Sequence, residues 1–116
     1  MFRWLVRLFY RKKVRRIENM SRALKAIGAG ELRDAGALIQ ESRPTEFLED
    51  LQLYHFVRGR FHLELLEFEA AECHLHAAFA LGFRRPALYL SLGLAKARLR
   101  RLGEAHELLE LARRHA

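Results

Sequence analysis

Residues 52–85 read QLYHFVRGRFHLELLEFEAAECHLHAAFALGFRR, and residues 86–116 read PALYLSLGLAKARLRRLGEAHELLELARRHA. Laid over each other with an offset of about thirty-four residues, Gly59 falls on Gly93, Phe68 on Leu102, Ala71 on Ala105, Leu75 on Leu109 and Ala78 on Ala112. Small residues fall on small ones and large apolar residues on large ones, without a gap. A fixed period of this length marks stacked helical hairpins. Two antiparallel helices approach closely only where small side chains meet at the crossing. Gly59 and Gly93 therefore belong mid-way along the first helix of a hairpin. Ala71 and Ala105 belong early in the second helix, facing them. Phe68 or Leu102 is expected to plug the corner, and Leu75 or Leu109 follows one turn later on the buried stripe.

A degenerate copy precedes these two. Ala23, Leu32, Ala35 and Ile39 keep the small, large, small, large order, and Gly28-Ala29-Gly30-Glu31-Leu32 marks a corner. Reaching the next copy requires a two-residue insertion near Ser42-Arg43-Pro44-Thr45.

These residues resemble the tetratricopeptide-repeat (TPR) family, whose unit carries an aromatic residue, Leu-Gly, Tyr, then Ala, an aromatic, Ala and Pro at set places. Residues 86–116 supply Tyr89, Leu92-Gly93, Leu102, Ala105, Leu109 and Ala112. Residues 52–85 supply Gly59, Phe68, Ala71, Leu75 and Ala78, and Pro86 opens the next unit. His55, Arg58 and His62 depart from the pattern, standing where an aromatic, Leu and Tyr are usual. The resemblance implies an all-α fold, a short right-handed α-solenoid of TPR-like helix hairpins over residues 17–116. It also implies a concave groove lined by the first helix of each hairpin. Ile17, Met20, Leu24 and Ile27 would come from the first copy, Leu53, Phe56, Arg60 and Leu63 from the second, and Leu90, Leu94 and Arg98 from the third. A lining that is apolar with a few cations suits an amphipathic helix or an acidic extended peptide. The alternative is that several of these side chains are core.

The composition agrees with helices. Apolar residues make up 51% of the chain, enough to build a core rather than a disordered tail. Leu, Ala, Arg and Glu dominate, and all favour helix. The pattern predicts helices over 2–27, 31–42, 46–65, 68–81, 87–100 and 103–115. Gly28 and Gly30 stop the first, and Thr45 caps the third with Glu46 and Glu49 in its first turn. Gly82 stops the fourth, and Pro86 opens the fifth. The break near residue 66 has neither Gly nor Pro, so a continuous helix there is the main alternative. Leu108, Leu109 and Leu111 are expected to leave apolar surface on the last hairpin, which favours a homo-oligomer.

Charge separates residues 1–16 from the rest. Arg3, Arg7, Arg11, Lys12, Lys13, Arg15 and Arg16 lie there with no acid, and they account for the whole net charge of +7. Phe2, Leu5, Val6 and Phe9 share one helical face, and Ile17, Met20, Leu24 and Ile27 continue it. Trp4 and Leu8 fall outside it, which widens the apolar arc. Three readings follow: a helix padding the first hairpin, an anchor on an anionic membrane surface, or a clamp on nucleic-acid phosphates. The third ranks lowest, because the body supplies no nucleic-acid motif and no second basic patch. No apolar run is long enough to span a bilayer, and no signal peptide is evident. A cytoplasmic protein, peripheral at a membrane through residues 1–16, is the expectation.

Catalytic chemistry finds little support. Cys73 and His76 are three residues apart, and His55 and His62 two turns apart, but no paired-cysteine motif completes a metal site. Glu64, Glu67, Glu69 and Glu72 read as a solvated face, because nothing indicates the enclosed pocket that acid–base work requires. Gly28-Ala29-Gly30 lacks the residues of a phosphate loop, and Cys73 lacks a nucleophile's context. The sequence therefore predicts a non-enzyme without cofactor, an adaptor or scaffold for a protein or peptide ligand. The competing classes are a nucleic-acid-associated protein and a structural oligomeric subunit.

Overall fold

The computed structural model describes residues 2–42 and 48–116, with the side chains of Phe2, Phe9, Lys13 and 48–50 left aside. The expected cap at Thr45, Glu46 and the side chain of Glu49 lie outside what is described. Six helices make up the described chain, with no strand among the described residues: α1 (Phe2–Gly28), α2 (Leu32–Glu41), α3 (Leu48–Glu64), α4 (Phe68–Ala80), α5 (Pro86–Arg98) and α6 (Leu102–Arg114). Each observed helix ends within about two residues of the sequence-based boundary, the scatter usual for helix ends.

The helices pair in order as α1–α2, α3–α4 and α5–α6. α1 also packs on α3, α3 on α5, α2 on α3 and α4 on α5. First helices thus touch first helices, whereas beyond their own hairpins α2 touches α3 and α4 touches α5. α3 sits in the middle, and every residue from Leu51 to Leu63 is buried or half-buried. The result is elongated, 56 × 28 × 22 Å.

Close helix crossings have the expected cause. A Cβ placed on Gly59 would meet Leu75 Cγ at 2.6 Å and the Ala71 carbonyl oxygen at 3.3 Å. One placed on Gly93 would meet Leu109 Cδ2 at 3.0 Å and the Ala105 carbonyl oxygen at 3.4 Å. Two hairpins therefore repeat one contact, residue for residue.

The corners repeat as well. Gly30, Leu66 and Arg100 all take left-handed backbone, with φ of 78°, 62° and 66°. The N–H groups of the next residues, Glu31, Glu67 and Arg101, each bond back to Ala26, His62 and Lys96 at 2.8, 2.9 and 2.9 Å. This six-to-one bond satisfies carbonyls left over at a helix end. Glu31, Glu67 and Arg101 share φ near −90° and ψ near 70° (−84/68, −95/75 and −91/68). Each then accepts the first bond of the following helix, from Ala35, Ala71 and Ala105. The break near residue 66 is real, and it is made without glycine. Gly28 is still helical, so Gly30 makes the first stop. Leu102 does not plug its corner; it is 66% exposed, whereas Phe68 is half-buried.

Candidate functional site

α1 runs unbroken through residue 16, so residues 1–16 and the hairpins share one helix. Its environment changes along its length. Met20, Ala23, Ala26 and Ile27 are buried. Arg3 to Leu8 and Tyr10 to Lys12 are all exposed, whichever face of the helix they occupy. Trp4, Val6 and Tyr10 are 59, 60 and 68% exposed. None of these described side chains is buried or half-buried. Arg15 is exposed too, while Arg16 is half-buried and held by an interaction. Phe2, Phe9 and Lys13 belong to the same segment, with side chains outside the described set.

The charge of this segment works against its own helix. A helix N-terminus carries a partial positive charge that favours acids and disfavours cations. The first turn of α1 has no acid, and Arg3 and Arg7 stand at or just past it. An external anion would relieve that repulsion.

The expected groove lining divides in two. Met20, Ile27 and Phe56 are buried at 3, 2 and 5% exposure, so they belong to the core. Leu24, Leu53 and Leu63 are half-buried and packed against that core, and Arg60 is half-buried. Leu90 and Leu94 are 48 and 44% exposed, and Arg98 continues their stripe along α5. The repeat explains the contrast. Phe56 stacks on Phe83 of the linker after α4, with ring centroids 4.9 Å apart. Leu90 holds the place of Phe56 one repeat later and has no such cover. Leu108, Leu109 and Leu111, expected to leave apolar surface on the last hairpin, are each half-buried.

The departures at His55, Arg58 and His62 meet in space and recruit His74 from α4. The Nδ1 atoms of His55 and His74 lie 3.1 Å apart. His62 lies parallel to His74, with centroids 5.4 Å apart and 5° between planes. Arg58 donates to the Tyr54 hydroxyl at 2.9 Å, while its buried Nε and the His62 Nδ1 have no hydrogen-bond partner. Burial, then His55, Arg58 and His62, push the His74 imidazole down to about 4. Burial and Arg58 lower His55 in the same direction. Cys73 and His76 are exposed and stand apart from this row. Among the described residues no three His, Cys, Asp or Glu are placed to hold a metal ion.

The third hairpin fills the equivalent seam with charge. Lys96, one repeat after His62, is 6% exposed. It pairs with Glu72 at 3.2 Å and Glu104 at 3.0 Å, and Arg101 also reaches Glu72 at 3.0 Å. The hydrogen bond and charge of Lys96 lower the Glu104 carboxyl. This network ties α4, α5 and α6 together.

No protein-family model, curated protein or solved structure matches the chain. Among the described residues no helix is long and apolar enough to cross a membrane.

Proposed function

We propose that this protein is a non-catalytic adaptor, a tetratricopeptide-like array of hairpins that rests on an anionic membrane surface through residues 2–16. The observation that carries the reading is the exposure of Arg3–Leu8 and Tyr10–Lys12 on every side of one helix. Apolar side chains, tryptophan, tyrosine and cations on one projecting helix suit the headgroup boundary. Each cation near an anionic leaflet contributes about 1 kcal/mol. The lipid phosphates also remove the conflict between the arginines and the helix dipole.

The tetratricopeptide-like reading is supported by the recurring glycine–leucine crossing and the recurring left-handed corner. The hairpins then present α5 to a protein partner. Leu90 and Leu94 offer an apolar stripe, and Arg98 and Arg60 favour an amphipathic helix with acidic side chains.

Co-sedimentation of the full chain with phosphatidylcholine vesicles, with and without phosphatidylserine, tests the membrane reading. Pelleting with the anionic vesicles alone is expected. If neither preparation pellets the protein, the membrane role is wrong. Oligonucleotide binding with a steep salt dependence would point to nucleic acid instead.

A further inference from the structure

His55, His62 and His74 are three imidazoles brought together by two helices, and neither the hairpin fold nor the membrane-facing helix requires them. The equivalent seam in the third hairpin uses a charged lysine held by two carboxylates. The seam in the second hairpin has instead the half-exposed Glu67 beside His62. His55 and His74 approach through Nδ1 atoms 3.1 Å apart, which is one N–H···N hydrogen bond. That bond needs a lone pair, so at least one of the two rings must be neutral. Arg58 supplies a permanent cation from α3 and has an unpartnered buried Nε. Glu67 is the carboxylate beside the row, 3.7 Å from His62 Nδ1 and half exposed. Glu72, on the other edge of α4, is held by Lys96 and Arg101.

We propose that this imidazole row is a proton-sensitive latch between α3 and α4. It is closed while His55 and His74 share one hydrogen-bonding proton, and it opens when each ring carries its own. Two imidazolium rings would then face each other as donors only, beside the Arg58 guanidinium. The hydrogen bond becomes a repulsion, which the half-buried seam screens less than bulk water would. α3 touches α1, α2 and α5 as well as α4. Loosening this one seam therefore reaches the whole stack.

The sign follows from linkage. A histidine held below its ordinary value binds a proton less readily folded than unfolded. Its contribution is fully present above about 6.5 and is lost as pH falls toward about 4, where His74 titrates.

Two measurements on the full chain decide the matter. NMR titration of the histidine ring signals should place the His74 midpoint near 4. Urea unfolding between pH 6.5 and 4.5 should show the unfolding constant rising by about tenfold per pH unit for each proton taken up on unfolding. In His74→Gln that dependence should be clearly shallower. A His74 midpoint at or above the ordinary histidine value overturns the proposal, as does an unchanged slope in His74→Gln. If the variant does not fold, the wild-type titration alone decides.

Discussion

The two halves of α1 carry the same apolar stripe and meet different fates. From Met20 to Ile27 α1 packs on α2 and α3, where Met20, Ala23, Ala26 and Ile27 are nearly inaccessible and Leu24 is half-buried. At Leu5 and Val6 the stripe continues without that burial, and the two are 39 and 60% exposed. A periodic apolar face shows that a helix has something to bury. It does not show whether the chain itself supplies the cover. Here the hairpins cover one half, and the other half, crowded with arginine, is the part we propose meets a surface outside the chain.

The comparison can be broken most forcefully at Ile27. Ile27→Ala should destabilise the fold by about 3 kcal/mol, the cost of truncating a buried aliphatic side chain, measured by urea denaturation. A loss under about 1 kcal/mol would mean that the packed half is not packed.

The projecting half should respond in the opposite way. Arg7→Glu combined with Arg11→Glu should change stability by under about 0.5 kcal/mol per site, because both side chains are exposed. The same pair should remove about 2 kcal/mol of affinity for anionic vesicles from the lost cations alone, read by co-sedimentation. A stability loss with intact vesicle binding would reverse the assignment of the two halves.

A smaller effect sharpens the end of the packed half. Gly30→Ala should cost about 1 kcal/mol from its left-handed backbone, since a Cβ there meets nothing within 4 Å. Leu66→Gly, at the same corner position of the next hairpin, should stabilise by a similar amount. Thermal melting distinguishes the two signs. Least of all, Val6→Ala should change stability by under about 0.5 kcal/mol while weakening vesicle binding severalfold.

Much of the fold was legible because its determinants repeat. Spacing set Gly59 against Ala71 and Gly93 against Ala105, and the structure puts those carbonyl oxygens, and Leu75 and Leu109 one turn on, against the two glycines. The corner at Leu66 carried no residue-type signal, because left-handed backbone there falls on leucine and arginine. Only its alignment with Gly30 and Arg100 reveals it. The groove was legible in part. The resemblance put Met20, Phe56 and Leu90 on one face, but it could not show that Phe83 reaches Phe56 from a later linker. The histidine row was half legible. His55 and His62 stood out as departures from the repeat, whereas His74 joins them only through the pairing of α3 with α4. Cys73 and His76, nearer to a ligand spacing in sequence, face solvent.

The central claim is that the exposed half of α1 meets an anionic lipid surface. The single tryptophan of the chain, Trp4, lies within that half and is 59% exposed, so its fluorescence reports the event directly. On titration with phosphatidylserine-containing vesicles its emission should shift to shorter wavelength, with no shift for phosphatidylcholine alone. Emission that stays at the solvent-exposed position with both would contradict the account.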